Sequence, residues 1–141
     1  MNDLNQKEKI EVLVISQFIK DLSFENFRTT EKELYAGDIK YTLNIHVDIK
    51  NEEDHISQVF LNLFCEANDD NGKVYILEIQ YGGGFKIGST KRDDKTTILM
   101  SECPKLLFPF LRKIAYDITR DGGVVPLNIQ PMNFSAVAEK T

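Results

Sequence analysis

An α+β fold, with a four-stranded antiparallel sheet followed by a long helix and a short C-terminal segment, is predicted by three features of the sequence. Tyr41 to Lys50 alternates apolar and polar residues without interruption, the period of a strand with one buried face. Gln58 to Ala67 and Lys73 to Tyr81 are two further strand-like runs, separated by the turn Asn68-Asp69-Asp70-Asn71-Gly72, whose Asn-Gly pair suits a hairpin. Leu107, Leu111, Ile114 and Ile118 recur at helical spacing.

Taken in order, Glu11 to Lys20 (EVLVISQFIK) is short and rich in β-branched residues, and is predicted as the first strand. Asp21 to Thr30 is polar and broken, and reads as a loop carrying Phe24 and Phe27. The second strand is Tyr41 to Lys50, closed by a charged turn from Asn51 to Ser57. On the third strand, Val59, Leu61, Leu63 and Cys65 form one face; Phe60 and Phe64 stand among polar residues on the other. On the fourth, Tyr75, Leu77, Ile79 and Tyr81 oppose Val74, Ile76, Glu78 and Gln80. Gly82-Gly83-Gly84 is expected to break the strand before Phe85 to Ile87 resumes it. Asp93 to Ser101 reads as a short helix, and Pro104 as the opening of a longer one to Arg120, with a possible kink at Pro109. Asp121-Gly122-Gly123 stops it, and Val124 to Thr141 reads as a loop. One amphipathic helix does not cover both faces of such a sheet, so oligomerisation is expected.

The 141 residues suit one domain, 1–141, with the ends 1–10 and 135–141 expected to be flexible. Seventeen basic and 22 acidic side chains give a net charge of −5, which disfavours a nucleic-acid partner. No apolar run reaches the roughly 18–20 residues of a membrane span, and the polar start from Met1 to Ile10 has no signal-peptide core. Cys65 and Cys103 make no disulfide framework and read as reduced thiols, as expected of a cytoplasmic protein.

Sites of chemistry are sparse. His46 lies on the polar face of a strand and His55 in a charged turn, and both read as solvated. No metal-ligand spacing occurs, so no metal or cofactor is expected. The triple glycine lacks the features of a phosphate loop. Cys103 stands before the predicted helix, where the dipole could lower its pKa, but has no histidine placed beside it. Asp69, Asp70, Asp93 and Asp94 lack the pattern of a calcium loop. What stands out is aromatic surface: Phe24, Phe27, Tyr35, Phe60, Phe64, Tyr75, Tyr81 and Phe85. Ordinary core and subunit interface account for such residues; a long apolar groove for extended polypeptide is the sharper alternative.

Four segments carry a family resemblance. Lys20-Asp21-Leu22-Ser23-Phe24-Glu25-Asn26, Leu77-Glu78-Ile79-Gln80-Tyr81-Gly82-Gly83-Gly84-Phe85, Cys103-Pro104-Lys105-Leu106-Leu107-Phe108-Pro109-Phe110-Leu111-Arg112 and Pro126-Leu127-Asn128-Ile129-Gln130-Pro131-Met132-Asn133-Phe134 occur in that order. Together they resemble the motifs of the SecB family of export chaperones, the Cys-Pro-x-x-Leu-Phe-Pro run being the most specific. The resemblance implies a homotetramer, a dimer of dimers, that holds unfolded precursor proteins without ATP and delivers them to the SecA ATPase. It implies no enzymatic activity, no cofactor and no membrane insertion. Residues carried over are Asp21, Glu25, Ile76 and Glu78 for a SecA-facing surface. Leu77, Ile79 and Tyr81 are carried over for tetramer packing, and Phe60, Phe64, Tyr75 and Phe85 for a client groove. The family usually continues past the Asn-Phe motif into a further helix and an acidic tail; here Ser135 to Thr141 follow, which puts a tail contact with SecA in question. Two alternatives stay open: a SecB-like chaperone of a toxin–antitoxin system, and a small ligand-binding domain or enzyme with an interface pocket.

Overall fold

The computed structural model describes residues 11–29, 37–88 and 92–134. Tyr35 and the two chain ends lie outside them. Strands β1 (Val12–Asn26), β2 (Lys40–Glu53), β3 (Ile56–Asp69) and β4 (Gly72–Ile87) precede one helix, α1 (Arg92–Asp121). The strands form a single sheet in the order β1-β4-β3-β2, every pairing antiparallel. The expected antiparallel sheet and helix are thus present. Consecutive pairing holds only from β2 to β4; β1 returns to the far side of β4 and leaves β1 and β2 as edges.

The strands are longer than the periodicity predicted, each for a physical reason. β1 does not end at Lys20. A register shift between Ile19 and Asp21 resets the alternation, after which Leu22, Phe24 and Asn26 are half-buried and Asp21, Ser23 and Glu25 are exposed. The predicted loop is therefore mostly strand. The predicted turn from Asn51 to Ser57 contracts to Asp54-His55, with φ of 54° and 63°. Two positive φ values match the right-handed twist of a tight hairpin.

Gly82 to Gly84 does not break β4 but lets it continue under large side chains. A Cβ on Gly82 would lie 2.4 Å from the Phe60 ring, and one on Gly83 2.8 Å from the Ser16 carbonyl. These glycines provide close approach rather than a bend. In the β3–β4 hairpin, Gly72 takes φ 112°, and the Asn71 N–H donates to Asp69 Oδ1 at 2.8 Å, an Asx turn.

The two predicted helices are one helix of 30 residues with Pro104 and Pro109 inside it. Pro104 does not open the helix. Each proline withdraws one backbone hydrogen bond, and the loss is offset by burial of a continuous stripe: Ile98, Leu99, Cys103, Leu107, Phe108, Leu111 and Ala115. Opposite them lie Val59, Leu61, Leu63, Cys65, Tyr75, Leu77, Ile79 and Phe85. After α1 the chain runs extended, and Val124, Leu127, Ile129 and Phe134 join the same core. Thr119 anchors this segment: its buried hydroxyl accepts from the Leu127 N–H at 2.8 Å and donates to the Ala115 carbonyl.

Candidate interaction surfaces

Directly paired residues of an antiparallel sheet point to the same face, so the register assigns every candidate side chain to a side. Tyr41, Leu43, Ile45, Cys65, Leu77, Ile79 and Tyr81 share the α1 side. Glu25 pairs with Ile76, Ser23 with Glu78 and Asp21 with Gln80 on the opposite side. Asp21, Glu25 and Glu78 are exposed and Ile76 is half-buried. The four residues carried over for the SecA-facing surface therefore lie together on the side away from α1.

The four residues carried over for a client groove do not come together. Phe60 and Phe64 lie on the acidic side, because Phe64 pairs with Glu78 and Phe60 with Gly82. Tyr75 and Phe85 lie beneath α1, each 0% exposed. Phe60 is itself 3% exposed. The Phe18 ring meets it edge-on at 5.9 Å and Lys20 Nζ stands 5.1 Å above it. The excess aromatic surface on this face is thus partly covered within one subunit.

Leu77, Ile79 and Tyr81 are 0, 2 and 7% exposed in a single chain. Tyr81 stacks on Phe110 of α1 at 6.1 Å and donates to Gln17 Oε1 at 3.0 Å. Contact with another copy through these three is not visible as bare surface, since α1 covers them.

Exposed apolar side chains sit elsewhere, and sequence periodicity did not find them as a group. Leu13, Val14, Ile15 and Ile19 follow the β1 edge; Tyr41, Leu43 and Ile49 follow the β2 edge; Leu106, Phe110 and Tyr116 are exposed on α1, Phe110 at the flank that meets Tyr81. On the β2 side, Tyr41 and Leu43 meet the chain from Leu127 to Met132 around a mostly apolar cavity of about 420 Å³. Tyr41 and Leu43 are 42 and 38% exposed, so the trough opens along the sheet edge. The signal missed was the extended segment 124–134, whose alternating burial places it beside β2.

On the acidic side, Asp21, His46, Asp48, Asn62, Glu78 and Gln80 surround a depression of about 300 Å³. Asn62 Nδ2 donates to Asp48 Oδ2 at 2.8 Å, and His46 Nε2 lies 3.8 Å from the same oxygen.

The described residues hold no cluster of metal-ligating side chains, and none of their helices is long and apolar enough to cross a membrane. Neither cysteine is activated. Cys103 lies within α1 rather than before it, and burial, with Glu102 adding to it, pushes its thiol from 9.0 up to about 12. Burial also raises Cys65, against a smaller lowering by the Tyr75 hydroxyl at 3.8 Å. Both thiols stay protonated, which removes them as nucleophiles at neutral pH.

Comparison with known proteins yields a coherent set of relatives. The family described as preprotein translocase subunit SecB matches residues 5–141. A protein-export protein SecB of Bartonella bacilliformis is 37% identical over 142 aligned positions, covering 96% of this chain and 86% of the relative. Another, of Cereibacter sphaeroides, is 34% identical over 135 positions, covering 92% and 81%. Among solved structures, a SecB-like chaperone of Mycobacterium tuberculosis, in complex with a ChAD peptide from an antitoxin, superposes with a TM-score of 0.70 at 11% identity. It covers 86% of this chain and 91% of that one; at that identity the likeness is one of fold.

Proposed function

This chain belongs to the SecB family of protein-export chaperones, and on that premise we propose that it is an ATP-independent holdase. It keeps unfolded secretory precursors competent for translocation in the cytoplasm and delivers them to the SecA motor. The supporting observation is the division of the sheet into two chemically distinct sides. One side gathers Asp21, Glu25 and Glu78 around Ile76. The other carries α1 and the apolar trough of Tyr41, Leu43, Leu127, Ile129 and Met132.

An extended client fits the trough through alternate side chains, and the adjoining β2 edge offers it backbone groups. This moves client contact away from Tyr75 and Phe85, which have no surface to give, towards Tyr41 and Leu43. The acidic side would receive a basic surface of SecA, where charge complementarity governs encounter rate and specificity. Self-assembly to a homotetramer completes the reading. Leu77, Ile79 and Tyr81 contribute by seating α1, which leaves Leu106, Phe110 and Tyr116 exposed.

The antitoxin-guarding alternative gains no support from a likeness of fold alone. An enzyme reading would need activated groups, and the two thiols are held in the opposite direction.

Two measurements test the proposal. Mixed with a slow-folding precursor and no nucleotide, the protein should suppress aggregation; absence of suppression at equimolar tetramer refutes the holdase. Glu78→Lys should weaken SecA binding at low salt and leave client binding intact. An unchanged SecA affinity would remove the acidic face from the delivery step.

A further inference from the structure

The trough beside β2 has one wall that the sheet holds and one that it does not. β2 is laddered to β3 along its length, so Tyr41 and Leu43 are fixed in place. The opposite wall, residues 127–132, is extended, and among the described residues no backbone hydrogen bond joins it to β2. Pro131 has no N–H to offer such a ladder. The hold that keeps this wall at its distance, and the cavity of about 420 Å³ open, therefore comes from α1.

One buried residue supplies much of that hold. Thr119 is 0% exposed. Its hydroxyl donates to the Ala115 carbonyl at 2.8 Å, with the Tyr116 carbonyl at 3.0 Å, and accepts from the Leu127 N–H at 2.8 Å. Its own carbonyl accepts from the Val124 N–H at 3.2 Å. The Leu127 N–H is thus committed to the helix and withheld from β2. A second, exposed hold lies one residue on, where Arg112 Nη2 donates to Asn128 Oδ1 at 2.9 Å. The C-terminal end of α1 is itself seated on the sheet, since Asn26 Nδ2 donates to the Gly122 carbonyl at 2.9 Å. A threonine hydroxyl bonded back along its own helix gives that helix little or nothing. Here it serves as the acceptor for a buried N–H that would otherwise be costly to leave unpaired.

We infer that Thr119 is a positioning residue for client binding: its hydroxyl sets the separation of residues 127–132 from β2, with the Arg112–Asn128 bond as a second hold. The pin keeps the trough preformed for an extended apolar segment. Apparent affinity falls in proportion to the fraction of molecules whose site is competent. A wall released to swing away, or to collapse onto β2, therefore weakens binding although no client contact is removed. Thr119 itself is too buried to touch a client. This role rests on the trough of Tyr41 and Leu43 being the client's site.

Thr119→Val removes the hydroxyl and nearly keeps the shape, whereas Thr119→Ser keeps the hydroxyl. The full chain is titrated calorimetrically with a capped peptide of alternating serine and leucine, well below the melting temperature of each variant, so that lost stability does not enter. Hydrogen exchange of the Leu127 amide reads the pin directly. Thr119→Val should expose that amide to exchange and weaken the peptide about tenfold. Thr119→Ser should retain protection and bind within about twofold of the native chain. Equal weakening by valine and serine, or an affinity untouched by valine while the Leu127 amide exchanges freely, would overturn the positioning role. If the valine variant does not fold, Arg112→Ala decides. It removes the exposed hold without altering the lining of the trough, and should weaken the peptide about threefold; an unchanged affinity rejects the inference. Leu43→Asp separates the two readings. Peptide binding that is lost in Leu43→Asp and unaffected by Thr119→Val keeps the trough and rejects the pin. Peptide binding that survives Leu43→Asp rejects the trough as the client's site.

Discussion

Arg28 grips Asp69 with both terminal nitrogens of its guanidinium, at 2.9 and 2.5 Å, and the two side chains are 6 and 0% exposed. The same guanidinium donates to the Lys73 and Gly72 carbonyls, so the tail of β1 is tied to the β3–β4 turn. Removing one member of a buried pair leaves an uncompensated charge. Asp69→Ala should therefore lower unfolding free energy by about 3–5 kcal/mol, read as a reduced urea midpoint with an unchanged slope.

Gly82 and Phe60 occupy one space between β3 and β4. A methyl group on Gly82 would press on the ring at 2.4 Å, and the ring is held by Phe18 and Lys20. Gly82→Ala should cost about 1–3 kcal/mol as overpacking and lift Lys20 from its aromatic seat. Adding Phe60→Leu should recover part of that loss. Denaturant titration of the two single variants and the double variant measures the coupling.

How much of this was legible beforehand depended on how cleanly alternation survived. Tyr41 to Lys50 was readable because nothing interrupts its period, and it is the centre of β2. Asp21 to Asn26 also alternates, but the bulge after Ile19 shifts its phase, and its polar partners disguised it as a loop. The triple glycine looked like a break because sequence shows a missing side chain, not the phenyl ring that fills the space. Pro104 looked like a helix start because local rules omit the burial that holds a helix together across a lost hydrogen bond. Asp21, Glu25 and Glu78 fall on one face of the sheet, while the four aromatics carried over together fall on two. Phe60, Phe64, Tyr75 and Phe85 are alike in chemistry, and only the strand register separates them into opposite faces.

Cys103 gives the fold a sensitivity to alkali. Its thiol is raised to about 12 in the folded chain against 9.0 without burial. Above pH 9 the unfolded chain therefore loses this proton before the folded one does, and stability falls as pH rises towards 12. Below pH 9 both states are protonated and the effect vanishes. Cys103→Ala should flatten the decline of melting temperature between pH 9 and 11, while costing some stability at every pH through the cavity it leaves. In the native protein, Cys103 should resist alkylation at pH 8, and unfolding should expose it. Mass spectrometry of iodoacetamide-treated samples with and without denaturant reads this directly.

The β1 edge carries the last prediction. Leu13, Ile15 and Ile19 are 58, 44 and 48% exposed in one chain, so the subunit's own fold depends on them little. They line a long edge strand, a geometry that invites pairing with another chain. If this edge serves assembly, changing all three to glutamate should leave the far-UV circular dichroism intact and reduce the particle. The native mass, expected near four times 16.2 kDa, should fall to a smaller species, since the added charges oppose one another across any two-fold contact of identical edges. Loss of folding in the triple variant would instead show that β1 depends on these side chains within the subunit. An unchanged mass would place the assembly contacts elsewhere, with the exposed Leu106, Phe110 and Tyr116 of α1 as the residues to change next. Light scattering coupled to size-exclusion chromatography distinguishes the three results.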